Sequence, residues 1–278
     1  MTKTSDSGAS MNYDSGPKRH WRRWVWNRIT ERVVSPRDAL VLYLAGLHDF
    51  DRAIAKTRGF HDNNLIAIER DKSTREHLRQ NGVLTIDANL FDAVLPAATN
   101  RHIDVVFADL CSGLTAHVVR SLVLWMFVPT MFDCVFVFNM LRGRDAESNR
   151  LRSYMKDGAT HEEHYKHRGW VLFNIMVGRA IKCTETIELT DQLYESASMR
   201  VWDLSNPAFH SYRSTSNQTF DTLVFRNPIG GCVVSDENRN RAWNEMKKSV
   251  ARNGLNKTPT HRATAAIMAH RTMRNNGK

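Results

Sequence analysis

The chain has 278 residues, 42% hydrophobic and 24% charged, which excludes a wholly disordered or collagen-like polymer and allows a core without disulfides. Its 39 Lys and Arg against 29 Asp and Glu give a formal net charge of +10 and favour a polyanionic partner. The four cysteines, Cys111, Cys134, Cys183 and Cys232, are too scattered for a zinc ribbon, a CxxC pair or a secreted disulfide framework, and point to a reducing, intracellular (cytoplasmic) setting.

Residues 1–17 are polar, rich in Ser and Gly, and read as a disordered N-terminus with no legible targeting signal. Residues 18–34, KRHWRRWVWNRITERVV, form a basic aromatic arm. Lys18, Arg19, Arg22, Arg23, Arg28 and Arg32 outnumber Glu31, with Trp21, Trp24 and Trp26 interleaved. Aromatic rings beside guanidinium groups suit stacking on bases and gripping phosphates. The alternative is that the tryptophans fasten this segment to the body and leave the arginines in water.

A regular alternation begins at residue 38. Ala39–Ala45 is a continuous apolar run ending at Gly46, the pattern of a strand buried on both faces. Residues 48–58 have helical character. A second buried strand, Asn64–Glu69, ends in an acid, and Ser73 is placed to cap a helix over 74–80. Val83–Asp87 reads as a third strand. A loop containing Pro96 leads to a fourth, Ile103–Asp109. An apolar helix over 116–127 precedes a fifth strand, Cys134–Asn139. The membrane-like stretch 121–140 is divided by Pro129, Thr130 and Asp133 into runs too short to cross a bilayer, so no membrane association is expected.

Beyond the fifth strand come a polar loop with Arg142 and Arg144 and a helix over 161–181. Extended segments at 196–202 and 220–225 follow, joined by a polar stretch containing Tyr212 and Asn217. The basic tail, with Lys247, Lys248, Arg262 and Arg271 among its cations, reads as a helical extension that contacts DNA or RNA or orders on binding. The expected division is therefore 1–17, the arm 18–34, a domain over 35–230 and an extension over 231–278. The fold class is α/β: a Rossmann-like parallel sheet with helices on both faces and a C-terminal antiparallel strand pair. His161, His164 and His167 are spread too widely around their helix for a zinc site, so no metal is expected. Nothing here sets the oligomeric state.

Ligands of such sheets bind beyond the carboxyl ends of the strands. Those ends carry Gly46, Glu69, Asp87 and Asp109. Glu69 is placed to accept hydrogen bonds from both hydroxyls of a ribose, Asp87 to meet an adenine edge, and Asp109 to face the reacting end of the ligand. The competing reading is that each acid caps the helix that follows it.

The pieces VLYLAGLHDFD, NLIAIERD, VLTIDAN and IDVVFADLCSGL, in that order and followed by a terminal strand pair, resemble the Rossmann-like class I S-adenosylmethionine-dependent methyltransferases over residues 38–228. The resemblance implies S-adenosylmethionine as cofactor, contacted by Leu44, Ala45 and Gly46, by Glu69 with Arg70, and by Asp87 and Ala88. It places Asp109 at the methyl-transfer centre. The family's glycine-rich turn is degenerate here, Ala45-Gly46-Leu47-His48-Asp49, and the Pro-Pro-aromatic slot of amino-methylating DNA enzymes is missing after Asp109. Asp109-Leu110-Cys111-Ser112-Gly113 partly resembles a segment of RNA 5-methylcytosine methyltransferases, but lacks its proline and the second Thr-Cys motif. Asn139 stands where the Lys-Asp-Lys-Glu pattern of ribose 2′-O methylation has a lysine.

The function read from sequence is methyl transfer to a nucleic acid, DNA or RNA. Arg19, Arg22, Arg23, Arg28, Arg142, Arg144, Lys247, Lys248, Arg262 and Arg271 are the expected phosphate contacts. The alternatives are a catalytically inactive methyltransferase-like nucleic-acid-binding protein and a methyltransferase for a protein or small molecule.

Overall fold

A computed structural model describes residues 15–110, 128–142 and 205–227, together with Val118, Ser121, Leu122, Trp125 and Met126. The helix over 161–181, the extended segment 196–202, the three spaced histidines and the basic tail lie outside the described residues, as do Arg144, Lys247, Lys248, Arg262 and Arg271.

Five apolar runs form parallel strands: β1 (Val41–Leu44), β2 (Leu65–Ile68), β3 (Leu84–Ile86), β4 (Val105–Asp109) and β5 (Val135–Leu141). β6 (Ala208–Arg213) and β7 (Thr219–Arg226) pair antiparallel with each other, and β7 pairs antiparallel with β5. The strand order is β3-β2-β1-β4-β5-β7-β6. This is the expected α/β Rossmann-like sheet with its C-terminal antiparallel pair. The stretch read as a connection around Tyr212 is itself β6; its polar, edge-strand sequence AFHSYR buries only Tyr212.

Each face of the sheet has its own core. On one face, Val41, Tyr43, Ala67, Phe107 and Val137 pack against α1 (Gly16–Thr30), α2 (Phe50–Thr57) and α3 (Lys72–Gln80). On the other, Leu42, Ile68, Val106, Phe136 and Phe138 pack against α4 (Leu90–Asn100) and against Leu122, Trp125 and Met126. Residues alternate between these faces along every strand because successive strand side chains point to opposite sides.

Two local expectations change. The loop around Pro96 is α4, whose buried Leu90, Ala93, Val94, Ala97 and Ala98 recur at helical spacing. Pro96 removes one intrahelical donor, and the apolar stripe outweighs that loss. α3 is capped by Asp71, whose Oδ1 accepts from the Thr74 amide at 2.8 Å, and not by Ser73.

Of the two readings of the arm, the structure has its tryptophans fastened to the body. Residues 16–30 form a helix laid across the sheet, with Trp21, Val25, Trp26 and Ile29 fully buried. Trp21 stacks on Tyr212 with ring centroids 5.1 Å apart, and Trp26 meets Phe107 edge-on at 5.8 Å. At the far end Arg32 donates to the Asn206 carbonyl at 2.6 Å. Trp21 and Trp26 are core residues, and Trp24 packs partly buried at the core's edge.

Candidate functional site

Strand register sets the site. Leu44 pairs with Ile68 and Ile68 with Ile86, so Ala45, Glu69 and Asp87 each stand one residue beyond a paired row. Phe107 pairs with Tyr43, which carries Asp109 to the same row. By alternation, all four side the α1–α2–α3 face, with Asn139, the partner of Asp109 on β5. The three acids therefore share one face and one edge.

Each acid is held differently. Glu69 is half-buried; its Oε1 accepts from the Asp71 amide at 2.8 Å, and Oε2 has no partner among the described residues. It does not cap α3, since Asp71 does. Arg75 is buried under the same turn. It donates to the carbonyls of Glu69 (3.1 Å) and Arg70 (3.0 Å) and pairs with Asp87 at 2.9 Å, leaving the Asp87 side chain 49% exposed. Ala45 and Ala88 are buried, Leu44 half-buried and Arg70 exposed. A Cβ added at Gly46 would meet nothing within 4 Å, so there is room at this turn for a ligand to approach.

Asp109 sits in a directional network. Trp21 Nε1 donates to Thr222 Oγ1 at 2.7 Å, and the Thr222 hydroxyl donates to Asn139 Oδ1 at 2.8 Å. Because indole only donates, every proton in this chain is assigned, and Asn139 Nδ2 must face Asp109 Oδ1, 2.6 Å away. The same amide reaches the Tyr212 hydroxyl at 3.3 Å. The other carboxylate oxygen is 3.0 Å from Lys18 Nζ, with both side chains 16% exposed. Lys18 lies in the first turn of α1, where the helix dipole opposes a cation, so Asp109 holds it there against that bias. Sequence reasoning missed Lys18, Tyr212 and Thr222 as site residues.

Next to this network, Asp51 is buried, accepts from Trp26 Nε1 at 3.0 Å and faces Arg22 at 3.4 Å. Burial pushes its carboxyl up, with Arg22 opposing and Asp109 adding to the rise. Arg22 is thus an interior residue, lying 5.1 Å over the Phe50 ring, and is corrected from a phosphate contact. Arg142 is corrected as well: its guanidinium grips the buried Asp221 at 2.6 Å and also bonds Ser211. Arg28 pairs with Glu31 at 2.7 Å and lies over Trp24, which stacks on His210. Arg19 and Arg23 stand exposed on the outer side of α1.

The turn after β1 owes its shape to Asp49. Its amide bonds the Gly46 carbonyl at 3.0 Å, and its backbone is left-handed (φ 42°, ψ 47°), which side-chain-bearing residues rarely adopt. The buried Tyr43 hydroxyl donates to its Oδ2 at 3.0 Å, while its buried Oδ1 has no hydrogen-bond partner among the described residues. Burial pushes the Asp49 carboxyl up to about 6, against the Tyr43 hydrogen bond; Asp51 raises it further, and Arg52 lowers it through both its charge and its backbone amide. Burial likewise pushes the Tyr43 hydroxyl well up.

The folded chain therefore keeps a proton on Asp49 that the unfolded chain has released between about pH 4 and pH 6. This group favours the fold on the acid side and works against it above about pH 6. Asp49→Asn is expected to raise stability by about 2–3 kcal/mol at pH 7–8 and to flatten its share of the pH dependence between 4 and 6. Paired urea titrations of the two proteins across that range check this.

No protein-family model matches the chain, and no curated protein does. Among solved structures, it is similar to a possible exported protein from Bordetella parapertussis (11% identity, TM-score 0.39, 76% of this chain and 68% of that one). It is also similar to the plantazolicin methyltransferase BamL, solved with a triazolic desmethylPZN analogue and SAH (11%, 0.40, 75% and 84%). A third is a SAM-dependent methyltransferase from Archaeoglobus fulgidus (11%, 0.35, 74% and 94%). Likeness at this level assigns neither activity nor substrate to the chain.

Proposed function

We propose that this protein transfers a methyl group from S-adenosylmethionine to a nucleic-acid acceptor. The observation that carries the reading is the single row formed by Ala45, Glu69, Asp87 and Asp109 on one face of the sheet. The donor set fits the cofactor. Glu69 offers ribose hydroxyls a carboxylate oxygen that has no partner among the described residues, Asp87 keeps half its side chain accessible beside the buried Ala88, and Gly46 leaves open space at the first turn. When bound, the cofactor supplies the electrophilic methyl group.

The chain's own residues would position the acceptor. Asp109 takes a hydrogen bond from the acceptor's N–H or O–H and aims its lone pair, while Asn139 and Lys18 fix the carboxylate's direction and charge. The acceptor class is drawn from charge: the +10 excess, and Arg19 and Arg23 exposed on the helix that brings Lys18 to Asp109. One observation favours the rival, a silent nucleic-acid-binding module: Lys18 already occupies one oxygen of Asp109.

Calorimetric titration with S-adenosylmethionine decides between them. The wild type is expected to bind, and Glu69→Ala to bind at least about tenfold more weakly, since hydrogen bonds to a charged group contribute roughly 1.5–3 kcal/mol. No heat at millimolar cofactor would end the catalytic reading. For the acceptor, Arg19→Gln with Arg23→Gln is expected to lower the salt slope of oligonucleotide binding by about 1–2; an unchanged slope removes α1 from the interface.

A further inference from the structure

We propose that Arg75 is a positioning residue that sets nucleoside specificity: it pins the Asp87 carboxylate in one direction, so that Asp87 reads the amino group of adenine. The proposal rests on the reading that Glu69 and Asp87 hold S-adenosylmethionine, and adds to it a residue that ends no strand.

Three acceptors converge on one nitrogen. Arg75 Nη1 lies 3.1 Å from the Glu69 carbonyl, 3.0 Å from the Arg70 carbonyl and 2.9 Å from Asp87 Oδ1. The turn it grips is tied on its other sides as well. The Glu69 amide bonds the Ile86 carbonyl at 3.1 Å, and Glu69 Oε1 accepts from the Asp71 amide at 2.8 Å. A single guanidinium carried by α3 thus joins the ends of β2 and β3.

Stability alone does not call for an arginine here. Arg75 and Leu78 are the buried side chains of α3, and an apolar residue would rest beside Leu78 at lower cost than a guanidinium. Arg75 is 7% exposed, and its Nε is buried without a hydrogen-bond partner among the described residues, which is a further cost. The gain lies on Asp87. Its side chain is 49% exposed and needs no buried partner, yet one oxygen is held. An interior cation that fixes an acid at the surface is the arrangement of a support behind a binding group.

Direction is what separates purines at this edge. The exocyclic amino group of adenine donates to a carboxylate. Hypoxanthine has a carbonyl oxygen at that place, and its nearest donor stands one ring position away. A carboxylate free to swing could follow that donor, whereas one pinned at Oδ1 cannot. A site built to accept from an N–H rejects the analogue that lacks it.

The test is calorimetric titration of the full chain with S-adenosylhomocysteine and S-inosylhomocysteine, whose affinity ratio cancels a general weakening of the site. The wild type is expected to prefer the adenine compound at least about tenfold, as a hydrogen bond to a charged group allows. Arg75→Gln keeps amide donors for the two carbonyls and removes the charge that pins Asp87. It is expected to melt cooperatively and to bring the ratio within about threefold of unity, a result that a merely structural role for Arg75 does not give. Arg75→Lys, which keeps the charge on a shorter stem, is expected to fall between the two. Equal affinities in the wild type, or a wild-type ratio in Arg75→Gln, would overturn the proposal and leave the cofactor reading standing. If Arg75→Gln does not fold, Arg75→Lys decides: a ratio at least about threefold below wild type supports the proposal, and an unchanged one overturns it. No heat with either compound ends both readings.

Discussion

Trp26→Ala is expected to destabilise the protein by about 3–5 kcal/mol, the usual cost of emptying a large aromatic site in a core. The ring is fully buried between Phe60 and Phe107, and its indole N–H serves the buried carboxylate of Asp51. Truncation leaves a cavity and removes a donor from a charge that has little access to water. For a domain of this size the loss corresponds to a fall in Tm of roughly 6–20 °C. Deleting residues 1–34 extends the same experiment. It strips Trp21, Val25, Trp26 and Ile29 from the sheet and lays Val41, Tyr43 and Phe107 open to solvent. That variant is expected to aggregate or to lose cooperative melting. A truncated protein that melts like the wild type would show α1 to be an appendage after all.

If the proposed methyl transfer is this chain's activity, Asp109→Ala is expected to reduce it by about 10²–10⁴, the range for a positioned group that handles a proton. Cofactor binding, which that proposal assigns to Glu69 and Asp87, should survive, so the loss appears in kcat and not in cofactor affinity. Lys18→Ala leaves the carboxylate and its Asn139 donor in place and is expected to cost less. Because Lys18 and Asp109 lie 3.0 Å apart, the two substitutions should be non-additive in a double-mutant cycle on transfer rate. Strict additivity, or loss of cofactor binding in Asp109→Ala, would remove Asp109 from the transfer centre.

The sheet was legible because parallel strands are buried on both faces, so β1, β2, β4 and β5 are written as continuous apolar runs. β6 was not, since an edge strand needs no such run: AFHSYR shows a single buried residue, Tyr212. α4 carried a readable signal in the spacing of Leu90, Ala93, Val94, Ala97 and Ala98, masked by the weight given to Pro96. In the site, the acids could be found because each ends a strand and the register then aligns them. The rest depends on partners far apart in sequence. Thr222 meets Trp21 across 201 positions, and Tyr212 meets Asn139 across 73. No local pattern announces that a lysine preceding the tryptophans will settle on the end of β4, or that Arg22 will turn inward to Asp51.

The seating of α1 also bears on how the chain reaches its native state. Trp26 finds Phe60, Phe107 and Asp51 early in the chain, but the seat of Trp21 is incomplete until β6 and β7 are made, because it stacks on Tyr212 and bonds Thr222. At translation speeds of about 5–20 residues per second, some 200 residues correspond to a wait of roughly 10–40 s. Throughout that interval the indole of Trp21 lacks its final partners, which leaves part of the nascent helix a greasy, cationic surface and a natural client for a chaperone. Contacts of such long sequence separation also predict slow refolding from denaturant.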